Sequence, residues 1–170
     1  MRDRLFPCEI WYPAAAEYTG QDLEPERQDV FTVPPADAQR RQTAARNASA
    51  RPGKCPLIIF SHSSGGNRRQ STFLCTHLAS HGYVVAALDH SEIVAPELAR
   101  KDGESAEQKT ARAEAWIGNR VPDVRFLLDH LLSASVLGQE LNLDRCQIEI
   151  VGQQTPRLRL KCQMRCSKRH

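Results

Sequence analysis

Short apolar runs set the layout of this chain. Leu57 to Phe60 and Tyr83 to Leu88 are continuous apolar stretches, the first bounded by Pro56 and by the turn-forming Ser63-Ser64-Gly65-Gly66. Runs of that length and punctuation predict strands buried on both faces, the habit of parallel sheets. Between them Leu74, Cys75, Leu78 and Ala79 recur at helical spacing, and Gly82 follows as a C-terminal stop. A strand, a helix and a strand within about 30 residues make a right-handed βαβ unit.

The flanking segments extend that unit. Cys8 to Ala14, CEIWYPA, reads as a short edge strand stopped by Pro13. Residues 14–53 are rich in Ala, Arg, Gln and Pro and read as a surface excursion, with a helix expected from Ala36 to Ala45. Ser105 with Gln108 forms a capping box for a polar helix running to about Trp116. Asn119 caps a second helix, with Pro122 in its first turn and Val121, Val124, Leu128 and Leu131 on one face. Gln147 to Val151 is one more strand. The order β, excursion, β-α-β, α, α, β is that of a doubly wound α/β architecture with a mostly parallel sheet.

Composition narrows the classes. At 170 residues, 41% apolar and 25% charged, the chain suits one ordinary soluble domain. No apolar run approaches the ~20 residues that span a bilayer, and MRDRLFP holds no apolar signal core, so no export signal is readable and the cytoplasm is the default compartment. The net charge of +3 is unevenly spread. Residues 153–170 hold six Lys or Arg and no acid, which leaves 17 basic and all 20 acidic residues before them. That split argues against a specific nucleic-acid surface, although a basic tail can attract anions or RNA without sequence preference. The six cysteines form no CxxC pair, which favours reduced thiols packed as small apolar groups.

The string FSHSSGGNRRQSTFLCTHLASHGYVVAALDH, Phe60 to His90, resembles the α/β-hydrolase fold, and specifically the group of platelet-activating factor acetylhydrolases and predicted dienelactone hydrolases. In that group a strand runs into FSHGxG, a helix ends in LASHG and a strand carries VVAxxH. Only Ser63 departs, standing where glycine is usual. Cys8 to Ala14 and Arg120 to Leu131 also resemble that group, as its first strand and pre-elbow helix, so the likeness spans residues 8–152. It implies cofactor-free and metal-free hydrolysis of a small or phospholipid-type carboxylic ester, by serine attack through a tetrahedral oxyanion and an acyl-enzyme. Matching FSHSSG to FSHGxG makes the Ser64 backbone N–H one oxyanion donor. Ser63 would be strained if its position required positive φ. Nothing in the sequence names a protein partner.

The same resemblance calls for a nucleophile elbow, G-x-S-x-G, directly after the strand QIEIVG. Gly152-Gln153-Gln154-Thr155-Pro156 puts Gln154 at the serine position and Pro156 at the second glycine. A carboxamide cannot be the nucleophile. The expectation is therefore residues 1–152 as the N-terminal part of an incomplete α/β-hydrolase domain, then a basic, disordered tail, 153–170, produced by a shifted frame or altered splice. Acid and histidine would lie beyond residue 170, and the chain is expected to be inactive.

Other placements compete with this one. Ser61-His62-Ser63-Ser64-Gly65 is small-x-Ser-x-Gly between a strand and a helix, which would make Ser63 the nucleophile, served by Asp89 or Asp123 and by His90 or His130. Asp89-His90 also falls at the C-terminal end of a parallel strand, where ligands of open α/β sheets bind. His77 and His81 have the i, i+4 spacing of zinc ligands, but Leu78 replaces the metalloprotease glutamate and no metal is expected there. Cys162, Cys166 and His170 sit in a cationic tail that repels metal ions. A noncatalytic anion- or RNA-binding protein using that tail is the alternative of a different class.

Overall fold

A computed structural model describes residues 7–33, 36–90, 101–133 and 143–152. Four strands form the main sheet: β1 (Cys8–Trp11), β4 (Cys55–Ser61), β5 (Val84–Leu88) and β6 (Leu143–Gly152), in the order β1-β5-β4-β6. β4 pairs in parallel with β5 and β6, and β1 runs antiparallel to β5. A second, two-stranded sheet joins β2 (Gln28–Val33) to β3 (Ala36–Ala45).

Alternation along the apolar strands sends successive side chains to opposite faces of the sheet. Leu57 and Ile59 of β4, with Val84, Ala86 and Leu88 of β5, pack on Val124, Leu127 and Leu131 of helix α2 (Ala106–Leu132). Ile58, Phe60, Val85 and Ala87 pack with Trp11 on Cys75 and Ala79 of helix α1 (Thr72–Ser80). Each strand is therefore fully buried, as its uninterrupted apolar sequence requires. Gly82, with φ of 96°, ends the α1 turn and returns the chain to β5.

Two expectations are corrected. Ala36–Ala45 is strand β3, not a helix. Its Ala- and Gln-rich composition favours helix only weakly, and pairing with β2 overrides that preference. The two helices expected from Ser105 and Asn119 are one 27-residue helix. The Ser105–Gln108 capping box opens it, with the Gln108 N–H donating to Ser105 Oγ at 3.2 Å and the Ser105 N–H donating to Gln108 Oε1 at 2.9 Å. The buried stripe Trp116, Arg120, Asp123, Val124, Leu127, Leu131 runs unbroken across Asn119. Pro122 lies inside the helix on its exposed side, where the missing N–H meets no buried partner. Strand β6 covers the expected Gln147–Val151 and extends four residues earlier.

Candidate functional site

The parallel strands β4 and β5 end side by side, and the polar residues that follow them are drawn into one buried cluster with α2. Ser61 closes β4, His62 follows it, and His90 stands two residues past β5. All three are at most 1% exposed. From α2, Arg120 and Asp123 reach the same cluster, one helical turn apart and both buried.

Elementary donor and acceptor rules fix the direction of most bonds. The Arg120 Nη1 donates to Ser61 Oγ at 2.9 Å and to the His62 carbonyl at 2.5 Å. Ser61 Oγ lies 2.8 Å from His90 Nε2, and His90 Nδ1 lies 3.3 Å from Asp123 Oδ2. The carboxylate only accepts, so His90 carries its proton on Nδ1 and takes the Ser61 hydroxyl proton bond on Nε2. His62 Nδ1 lies 2.7 Å from the Ser63 carbonyl, which also only accepts, and His62 Nε2 receives the backbone N–H of His90 at 3.2 Å. His62 is therefore held as the Nδ1–H tautomer with both nitrogens occupied.

Burial drives the His62 imidazole down from 6.5 to about 4. Its neutral form is the folded one. The stabilisation is complete above pH 6.5, declines as pH falls between 6.5 and 4, and is gone below 4. The expected loss across that window is about 3 kcal/mol, most of it by pH 4.5. Urea unfolding of the protein and of His62→Gln at pH 7.5 and 4.5 checks this, because the variant has no such group to titrate. Equal pH dependence of the two proteins would refute it.

The turn after His62 is held equally firmly. The Ser63 N–H and hydroxyl both donate to Gln70 Oε1, at 3.1 and 3.0 Å, and the Ser63 carbonyl accepts a second bond from the Gly66 N–H at 2.9 Å. The left-handed position of the turn is Gly65, with φ of 76°. Ser63 is not among the residues with positive φ, so serine in place of glycine is unstrained there. A Cβ at Gly66 would sit 1.9 Å from Gln70 Oε1, so a side chain there requires the Gln70 side chain to swing away from Ser63. Ser64 is exposed, and its backbone N–H has no hydrogen-bond partner among the described residues.

The other sequence candidates fall into place around this turn. Asp89 accepts the Arg68 N–H at 2.5 Å and pairs with its guanidinium, so it braces the far side of the glycine turn. Asp123 and His90 meet each other, as a serine relay would need, but on Ser61 rather than Ser63. His130 lies on the exposed side of α2. His77 and His81 meet at the end of α1 with ring centroids 4.3 Å apart and planes tilted by 48°. No group of three or more His, Cys, Asp or Glu is arranged to hold a metal ion among the described residues. Cys8, Cys55 and Cys75 are free thiols, and burial pushes Cys8 and Cys75 up to about 12, which keeps them protonated at neutral pH. A cavity of about 470 Å³ lies apart from the turn, between β1, the β2–β3 hairpin and α1, with Tyr12, Tyr18, Arg51 and Thr76 on its walls. Gln154, Cys162, Cys166, His170 and the rest of the tail lie outside the described residues.

Sequence reasoning passed over Ser61 and Arg120. The available signal was a charged pair, Arg120-x-x-Asp123, on the same helical stripe as Val124, Leu127 and Leu131. Charges on a buried face must be paired or hydrogen-bonded, which points to a polar cluster beneath the helix.

Comparison with known proteins points in one direction. Residues 10–123 match the family described as platelet-activating factor acetylhydrolase, isoform II. The platelet-activating factor acetylhydrolase of Gallus gallus is 36% identical over 80 residues, 44% of this chain and 19% of that protein. The Bos taurus acetylhydrolase is 50% identical over 50 residues, 29% of this chain and 11% of its own length. A ferulic acid esterase from Streptomyces cinnamoneus superposes with a TM-score of 0.56 at 30% identity, covering 86% of this chain and 44% of the esterase. The matched stretch is thus under a fifth of either acetylhydrolase and under half of the esterase.

Proposed function

Because the chain belongs to the platelet-activating factor acetylhydrolase isoform II family, we propose that its β4–α1 turn is the oxyanion side of a carboxylic-ester hydrolase site, with the Ser64 N–H as one donor. The ester would be small or of phospholipid type. Residues 1–152 would be part of a doubly wound α/β-hydrolase domain, and 153–170 a separate basic tail.

One observation carries this reading: the Ser64 N–H has no hydrogen-bond partner among the described residues and stands on an exposed turn in which the Ser63 N–H, hydroxyl and carbonyl and the Gly66 N–H are all engaged. A carbonyl oxygen that gains negative charge as a nucleophile adds would be stabilised there, by roughly 3 kcal/mol for one preorganised donor. The nucleophile is a different matter. Gln154 occupies the serine position of the elbow, and its carboxamide has no hydroxyl to deprotonate. Ser61 has the hydrogen bonds of a catalytic serine, yet at 1% exposure no substrate carbonyl reaches it, and Arg120 draws on its oxygen lone pair. The Ser63 hydroxyl donates to Gln70, and no described histidine accepts from it.

The chain of residues 1–170 is therefore proposed to hold an oxyanion site without an acyl-accepting serine. Treatment with a fluorophosphonate probe should leave its intact mass unchanged, and a short-chain aryl ester should be hydrolysed no faster than in buffer. A probe adduct mapped to Ser61 or Ser63 would defeat this reading and identify a working nucleophile.

A further inference from the structure

Resting on the reading of Ser64 as an oxyanion donor, we infer that His62 is the positioning residue that aims this donor, and that Arg120 and His90 exist in the cluster to hold His62. The mechanism begins with the planarity of the peptide unit. The Ser63 C=O and the Ser64 N–H belong to one trans peptide and point in opposite directions. Whatever fixes the carbonyl therefore fixes the N–H. The carbonyl is held by His62 Nδ1–H at 2.7 Å and by the Gly66 N–H at 2.9 Å.

The imidazole needs its own support to do this. Its Nε2 receives the His90 N–H at 3.2 Å, so the end of β5 sets the ring's orientation and tautomer together. Its backbone is pinned from the opposite side, where Arg120 Nη1 bridges the His62 carbonyl and Ser61 Oγ. The guanidinium is a costly way to fill space. Its Nε and Nη2 are buried without a hydrogen-bond partner among the described residues, and each such orphan donor opposes folding. An apolar side chain would avoid that penalty but would release the His62 carbonyl. An arginine at this position is explained if the geometry of this turn, rather than stability alone, is what the cluster maintains.

Nitrogen-15 NMR of the imidazoles at pH 7, together with an acetate titration followed at the Ser64 amide, tests this. In the unmodified chain His62 should show a protonated Nδ1 and a bare Nε2, and acetate should shift the Ser64 amide proton downfield in a saturable way. In His62→Ala the apparent acetate affinity should fall about tenfold, the effect of one lost hydrogen bond. In His62→Asn, which keeps a donor near the Nδ1 position, most of it should return. If acetate leaves Ser64 unmoved in the unmodified chain while the tautomer is as stated, the oxyanion reading fails and the inference fails with it. If Ser64 responds but His62 carries its proton on Nε2, or His62→Ala responds like the parent, only the positioning role is overturned. The tautomer decides the matter even if His62→Ala does not fold.

Discussion

Replacing Asp123 by alanine should destabilise the protein by about 3–5 kcal/mol, the range for removing one partner of a buried charge pair. Asp123 is 1% exposed and faces the His90 Nδ1–H, while Arg120, one turn earlier on the same helix, is 5% exposed. Burial already drives the Arg120 guanidinium below its ordinary value, and the Asp123 carboxylate opposes that drift. Without the carboxylate, the guanidinium would stay buried with no counter-charge and the His90 N–H would lose its acceptor. Asp123→Asn keeps an acceptor but not the charge and should lose less. The double change Asp123→Leu with Arg120→Met removes both charges, so its loss should be clearly smaller than the sum of the two single changes. Urea unfolding of Asp123→Ala and Asp123→Asn gives the first two losses, and unfolding of the parent, Asp123→Leu, Arg120→Met and the double variant measures the cycle. A loss below about 1 kcal/mol for Asp123→Ala would mean that the cluster is solvated and not a buried pair.

The division between what was legible in the sequence and what was not follows the physics of each element. The βαβ unit of β4, α1 and β5 was readable because buried parallel strands must be apolar throughout, and Leu57 to Phe60 and Val84 to Leu88 admit no other placement. The β2–β3 hairpin was not, because β3 is built from Ala, Gln and Arg, residues without β preference. Its burial comes from single long-range bonds, such as Trp11 Nε1 to Gln42 Oε1 at 2.8 Å. The two-helix reading of 105–132 failed on Asn119 and Pro122, which look like a helix start but lie within a continuous buried stripe. In the site, FSHSSG located the turn, and His90, Asp123 and Ser63 were all in view. What local pattern could not supply was the partner. His90 and Asp123 are 33 residues apart and meet beside Ser61, which sits two residues before Ser63, the serine that the elbow pattern selects.

Arg69→Ala should release the β2–β3 hairpin from the main sheet and cost about 3 kcal/mol. The hairpin has few apolar contacts to the sheet and is held instead by an ion cluster. Arg69 bonds Glu9 of β1 at 2.8 Å and Asp29 of β2 at 3.0 Å, and its guanidinium lies 4.5 Å over the Phe31 ring. Arg46 reaches the same two carboxylates, at 2.8 and 2.7 Å. The Asp29 carboxyl is pushed up by burial, but bonds from Arg46 and Gln42 and the two arginine charges outweigh this and leave it below its ordinary value. The arginines differ in exposure: the Arg69 side chain is 10% exposed and the Arg46 side chain 45%. Arg46→Ala should therefore cost only about 1 kcal/mol, because water and salt already screen its bonds and Arg69 remains to neutralise both carboxylates. Loss of Arg69 leaves the two buried acids with the half-exposed Arg46 and, 4.0 Å from Glu9 alone, the partly exposed Arg68, and it strips the cover from Phe31. Thermal melts in 0.1 and 1 M KCl should show the Arg69→Ala deficit nearly unchanged by salt and the Arg46→Ala deficit shrinking. Equal deficits for the two variants would place the attachment of the hairpin on apolar contacts instead of on this cluster.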